Sequence, residues 1–342
     1  MRRALGGLML VLACTPPILE ENKEPAWEVV HTGETLGGAM LAVWGAGENH
    51  AIFAGGGVGN GQEALVWTWD GSRLSLRHPG GTDTFWWVHG TSPSDVWLVG
   101  EHGRITHFDG SSFVEHTRVL DTTLWGAMAF SANDVWAVGG MPGRPSGAPN
   151  DVVLHYNGTQ WTQEVLPGTA RNVALLKVWG TSAEDLYVVG ERGTIWHRSA
   201  AGWELQSALH SPALADGTLF SVHGCSATEL YAAGGNTLLK SNGMAWEKLT
   251  EPALRVANGL SCGAGRLTVV GFSGLKVRRE GAATLDDTRT QPFDNLHAAW
   301  TAPNGDIWVV GGDWVSSSTA GSVREGVIGR YGKGRVKAEL AR

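Results

Sequence analysis

The chain of 342 residues holds only three cysteines, four tyrosines and six methionines. Three cysteines cannot supply the dense disulfide framework on which coreless secreted domains depend. Neither a Cys-x-x-Cys nor a His-x-x-x-His spacing occurs, so no metal or other cofactor is expected. Basic residues are scarce as well, with 26 Lys and Arg against 33 Asp and Glu, for a net charge of −7. Nucleic-acid affinity rests on Lys and Arg neutralising phosphates, so a nucleic-acid partner is not expected. No apolar run approaches the roughly 20 residues of a membrane-spanning helix, and no stretch sustains helical periodicity. The excesses are glycine, with 49 residues, and tryptophan, with 17 against eight Phe and four Tyr. Gly plus Pro stays below the roughly 25–30% that marks low complexity, and a hydrophobic content of 42% leaves material for a core.

Both excesses follow a repeat. Its clearest copy is FWWVHGTSPSDVWLVGEHGRITHFDGSSFVEH, from Phe85 to His116. The glycine closing the central apolar run, Gly100, recurs as Gly55, Gly139, Gly190, Gly234, Gly271 and Gly311, at intervals of 37 to 51 residues. A period of about 40–45 residues is that of a propeller, in which each four-stranded sheet buries its faces only against its neighbours. The fold class is therefore all-β, a seven-bladed β-propeller of four-stranded antiparallel blades over residues 26–342. In the clearest blade, strand A ends near Gly90, B covers Asp95 to Val99, C covers Arg104 to Phe108, and D begins near Phe113. Asp109-Gly110 between C and D recurs as Asp70-Gly71, Asn157-Gly158 and Asn242-Gly243, a signal for type I′ hairpins with φ > 0 at both central residues. On strand B, Phe53, Trp97, Trp136, Tyr187, Tyr231 and Trp308 read as one register whose flat side chains fill the wedges between blades. Blade six departs most, with Arg266 and Thr268 replacing the Asp and the aromatic. Closure has two candidates: Trp27 to Val30 resembles a strand D and could complete blade seven, as could Arg335 to Leu340.

Ahead of the repeats, Arg2 and Arg3 precede an apolar run from Ala4 to Ala13, the proportions of a secretory signal peptide. The run ends in Val11-Leu12-Ala13-Cys14, which resembles a bacterial lipobox. That resemblance implies cleavage after residue 13, lipid on Cys14, a linker over 14–25, and, with Thr15 rather than Asp following, retention at the outer membrane on the periplasmic or outer surface. Several acyl chains on one residue would anchor stably, which a single chain does not. The repeats themselves resemble those of bacterial exported and lipid-anchored β-propeller proteins.

Strand order sorts the loops into two faces. The A–B and C–D turns share face X and are short. The B–C and D–A connections share face Y and vary, with long segments at Gly56 to Glu63, Gly140 to Asn150, His210 to Thr218, Asp286 to Asn295 and Gly312 to Glu325. Insertions gathered on one face mark a binding face, and Arg144, Asn150, Asp216, Asp287, Arg289, Asp313 and Trp314 are its candidate ligand-binding residues. Trp44, His89, Trp125, Trp179, His223, Cys262 and Trp300 read as a ring closing strand A, an arrangement that repeat packing explains more simply than an aromatic collar. Asp95, Asp134, Asp185 and Asp306 precede strand B at one register, which makes them caps for backbone N–H groups rather than a catalytic set. No nucleophile pairs with a base, so no catalytic residue is named. Cys225 and Cys262 sit on adjacent blades, and a disulfide between them needs Cα atoms within about 7 Å. The functional expectation is a non-enzymatic binding or scaffold module of the cell envelope whose partner is a protein. A glycan-binding, lectin-like propeller is the alternative, and a hydrolase or lyase using the same face comes third.

Overall fold

The computed structural model describes residues 24–59, 61–143, 150–168, 172–209, 217–315, 324–336 and 338–341. The signal segment, Cys14, nearly all of the linker, Arg144 and Asp216 lie outside these residues. Seven antiparallel sheets form the blades of a β-propeller. Blade two matches the reading of its sequence closely, with strands Phe85–Ser92, Asp95–Gly100, Ile105–Phe108 and Phe113–Glu115. Blade six, despite its departures, is a regular sheet over Ala257–Gly263, Arg266–Gly271, Lys276–Glu280 and Ala283–Asp286.

The glycine at the end of strand B is fixed by close approach. A Cβ on Gly100 would lie 2.1 Å from the Thr84 carbonyl oxygen, and one on Gly311 would lie 1.8 Å from that of Asn295. The C–D turns are not type I′. Only their glycines have positive φ, 97° at Gly71 and 93° at Gly110, because the preceding side chain folds over the loop. Asp109 Oδ1 accepts from the amides of Ser111 at 2.8 Å and Ser112 at 2.7 Å, a local arrangement open to Asp and Asn.

Aromatic side chains fill the wedges between blades, with one correction of register. Trp97 packs on Trp161 of blade three, Trp136 on Trp203 of blade four, and Tyr187 on Trp246 of blade five, with ring centroids 5.8, 6.0 and 6.0 Å apart. Phe53 is not of this set. Pairing of blade one places Ile52 opposite Trp44, as Trp97 lies opposite His89. Phe53 therefore points to the other side of its sheet, where it meets Trp308 of blade seven at 5.4 Å.

The Asp register is structural, but its partners are side chains rather than the backbone amides expected. Asp95 Oδ1 accepts from Trp97 Nε1 at 3.0 Å and lies 2.9 Å from His107 Nε2. Asp134 repeats this with Trp136 and His155 at 3.0 and 2.9 Å. In blade four, His197 Nε2 lies 3.0 Å from Asp185. Each imidazole also stacks on the strand B aromatic, with centroids 4.1 Å apart for Trp136–His155 and 4.2 Å for Tyr187–His197. These contacts bind strand C to strand B within a blade.

Both termini take part in closure. Ala26–Gly33 pairs antiparallel with Gly326–Gly332 and is the outer strand of blade seven. The chain then enters blade one directly. At the other end, Glu339–Ala341 pairs parallel with Arg73–Arg77 and adds a fifth strand to blade one. Arg330 is the hub of this junction. Its guanidinium donates to Asp306 at 2.7 Å, to Glu28 at 2.9 Å and to the carbonyls of Lys333 and Gly334, while Val336 N also donates to Glu28. Between blades five and six, Cys225 and Cys262 are joined by a disulfide with Cα atoms 4.9 Å apart.

Arg330→Met would leave two half-buried carboxylates facing an apolar stem. It is expected to cost about 3 kcal/mol of stability, the lower end of what breaking a buried pair costs, read as a lower urea midpoint. Removing residues 339–342, which deletes the added edge strand and leaves the Val336 bond to Glu28 in place, should cost clearly less in the same titration.

Candidate functional site

The central channel has two parts, each built from one residue per strand A. Strand pairing sets Trp44, His89, Met128, Trp179, His223, Ser261 and Trp300 at equivalent positions toward face X. Trp125 and Cys262 are thus not members of that ring. Trp125-Gly126 lies at the beginning of its strand rather than the end, and Cys262 takes the position that glycine holds in other blades, one residue after Ser261. Six of the seven, all but Ser261, line a narrow cavity of about 110 Å³.

Its two histidines are held neutral. The Ala129 amide donates to His89 Nδ1 at 3.1 Å, and that of Cys262 to His223 Nδ1 at 3.2 Å. Burial pushes both rings down to about 4, helped at His89 by the charge His223 would carry.

Three residues earlier along each strand lies the wall of the second part: Leu41, Trp86, Trp125, Leu176, Phe220, Asn258 and His297. All but Leu41 line a cavity of about 520 Å³ opening on face Y, together with Lys177, Thr218 and the loop residues Pro142, Phe272, Trp314 and Val315. The aromatics form a continuous wall. Trp86 meets Trp125 at 4.6 Å and His297 at 5.6 Å, and Trp314 meets His297 at 5.3 Å and Phe272 at 5.5 Å. His297 Nδ1 bonds the carbonyl of Leu41. Burial first, then the neighbouring Lys177 charge, pushes this imidazole down to about 3.

The sequence candidates fall differently around this cavity. Trp314 lines it. Asn150 is buried and clamps the base of its loop, exchanging hydrogen bonds with both the N–H and the C=O of Met141. Asp287 lies away from the channel, accepting from Trp27 Nε1 at 2.8 Å and from Arg278 Nε. Arg289 is exposed in the segment before blade seven. Asp313 lies 3.8 Å from Arg324, whose guanidinium also donates to Gly57 O at 2.9 Å and so ties the loops of blades seven and one. The residues missed, above all Trp86, Lys177 and His297, lie on inner strands rather than loops, as does Trp125, which the sequence assigned to the other ring. Their signal was the register three residues before the His/Trp ring.

Gly259-Leu260-Ser261-Cys262-Gly263 has the Gly-x-Ser-x-Gly spacing of a nucleophile elbow. Here it is a plain β-strand, and Ser261 Oγ is buried against Thr301 at 2.9 Å, which excludes that role. Among the described residues, no group of three or more His, Cys, Asp or Glu is placed to hold a metal ion.

No family model and no curated protein matches the chain. Solved structures do. A streptogramin B lyase aligns with TM-score 0.68 and 12% identity over 92% of this chain and 99% of that one. The WD40 repeats of RRP9 align with TM-score 0.67 and 11% identity over 92% and 100%. YCF48 bound to a D1 peptide aligns with TM-score 0.62 and 16% identity over 93% and 99%. At such identities the likeness is one of fold.

The neutral histidines set a pH dependence. Their folded values lie below the 6.5 of an unfolded chain, so the unfolded state binds more protons between about 6.5 and 4. Stability is full above that window and falls as pH drops through it. The double variant His89→Asn/His223→Asn, which keeps an acceptor for each amide, should flatten this part of a urea-midpoint-versus-pH curve.

Proposed function

We propose that the protein is a non-enzymatic binding module of the cell envelope, anchored through lipid on Cys14 at the outer membrane, that takes a segment of a partner protein on face Y. The observation that carries the reading is where apolar surface is left exposed. Nine large apolar side chains are exposed among the described residues, and six of them, Val119, Met141, Val165, Val256, Phe293 and Val315, belong to face Y connections. Face X has only Met244. The segments that carry part of the set adjoin one another. Phe272 N donates to Val256 O at 3.0 Å, Gly274 lies against Phe293, and Phe272 packs on Trp314 beside Val315. An apolar rim leading into an aromatic cavity, with loops around it, fits a protein segment. It fits a glycan less well, since a sugar's hydroxyls need more polar partners than this wall supplies. Peptide binding by a propeller also has a precedent in the YCF48 structure with its D1 peptide.

The test is crosslinking in native envelopes with three forms of the protein. A partner captured by the wild type and by Met244→Asp, but lost with Phe293→Asp/Val315→Asp, supports face Y. Capture that survives the rim changes and fails with Met244→Asp contradicts it. For the anchor, Cys14→Ser should abolish palmitate labelling and move the protein from the membrane to the soluble fraction.

A further inference from the structure

Lys177 is a buried cation without a counter-charge among the described residues. Only 5% of its surface is exposed, and it lies in the wall of the face Y cavity. Its reach depends on Gly126 of the preceding blade, where a Cβ would stand 3.0 Å from the Lys177 Cα. Nζ donates to the Trp125 carbonyl at 2.9 Å and sits 3.6 Å from the centroid of the Trp87 ring. An ammonium has three donors, so one N–H has no acceptor among the described residues. A second buried donor of the cavity wall, the Trp86 indole N–H, has none either.

Lys276 is held differently. That ammonium, also buried, is closed off by three carbonyls at 2.7 to 3.0 Å and feels Asp287, Asp294 and Asp286. Lys177 feels no such carboxylate, and burial alone pushes it down to about 7. No Asp or Glu stands in the described wall. An aromatic wall of this kind would otherwise suit a quaternary ammonium, but a cation there would meet Lys177 and no anion of the described wall.

We propose that this cavity binds a carboxylate on an apolar body, its aromatic wall enclosing the body and Lys177 and Trp86 donating to the anionic head. The inference deepens the binding role of face Y and rests on it. The head could belong to a free organic acid or to the last residue of a partner chain, and both present the same chemistry. A charge-assisted pair within an apolar wall is strong. A bound anion would also hold the Lys177 proton, so affinity should be highest at and below neutral pH and fall as the free amine deprotonates above about 7.

The experiment measures binding of 4-phenylbutanoate, 4-phenylbutanamide and a phenylalanine-terminated pentapeptide, free or amidated at its end, by calorimetry and tryptophan fluorescence. The free acid of at least one pair should bind tenfold or more tighter than its amide. That preference should vanish in Lys177→Met and shrink as pH rises from 7 to 9. If only the butanoate shows it, the natural ligand is a free acid; if only the peptide does, it is a chain end. Lys177→Met loses an unpaired buried charge, so its melting temperature at pH 7 should equal or exceed the wild type, which separates lost recognition from lost folding. Equal binding of acid and amide, a preference retained by Lys177→Met, or no acid bound at millimolar concentration would overturn the proposal. Each of these results leaves the rim test of face Y standing on its own.

Discussion

A ring of sheets has no stability of its own until its first and last members meet, because every blade buries both faces only against neighbours. In this protein that meeting is made at blade seven, and it is made by chain that is distant in sequence. The outer strand comes from Ala26–Gly33, while the C-terminal Glu339–Ala341 crosses to the outer edge of blade one. Arg330 binds the junction electrostatically, joining Asp306 of blade seven to Glu28 of the closing strand. The aromatic packing of Phe53 on Trp308 joins blade one to blade seven on the inside. With the ring closed, the inner strands are held at one spacing, and the channel acquires walls of defined composition.

Those walls differ at the two ends because strand A contributes side chains three residues apart at different depths, and an irregularity in pairing at the outer one, between Phe85 and Trp87 in blade two and between Leu175 and Lys177 in blade four, turns both toward the channel. Toward face X, three tryptophans and two neutral histidines narrow the passage, and the backbone amides of adjacent blades fix the imidazoles. Toward face Y the channel widens into a cavity whose wall is aromatic and whose one ammonium lacks a described counter-charge. A buried ammonium opposes folding. Its presence beside an open cavity, instead of the apolar residue that packing would favour, is the kind of local conflict that marks a functional position.

The repeat made the architecture readable from sequence. Gly100 and its six counterparts mark a place where any side chain would strike the neighbouring strand, so the period and the blade count followed from one steric requirement. The register failed where blades depart from the pattern. Trp125-Gly126 copies the Trp-Gly that ends strand A elsewhere, yet it starts its strand, and only the pairing of Met128 with Trp136 reveals this. In blade one the shift from Ile52 to Phe53 has the same origin. The cavity was harder to see. Its residues come from six of the seven blades, spread from Trp86 to Val315, and become neighbours only once the ring closes. Attention to loops found Trp314 but overlooked Lys177, because a lysine on an inner strand looks like an exception to burial until its surroundings are known.

The account turns on one face of the disc meeting a partner while the other stays free. Hydroxyl-radical footprinting of the protein within intact envelopes, compared with the purified protein, measures this directly, side chain by side chain. The account predicts protection of Phe293, Trp314 and Val315, with Met244 labelled equally in both. Protection of Met244 with Phe293, Trp314 and Val315 still labelled, or no protection on either face, would contradict it.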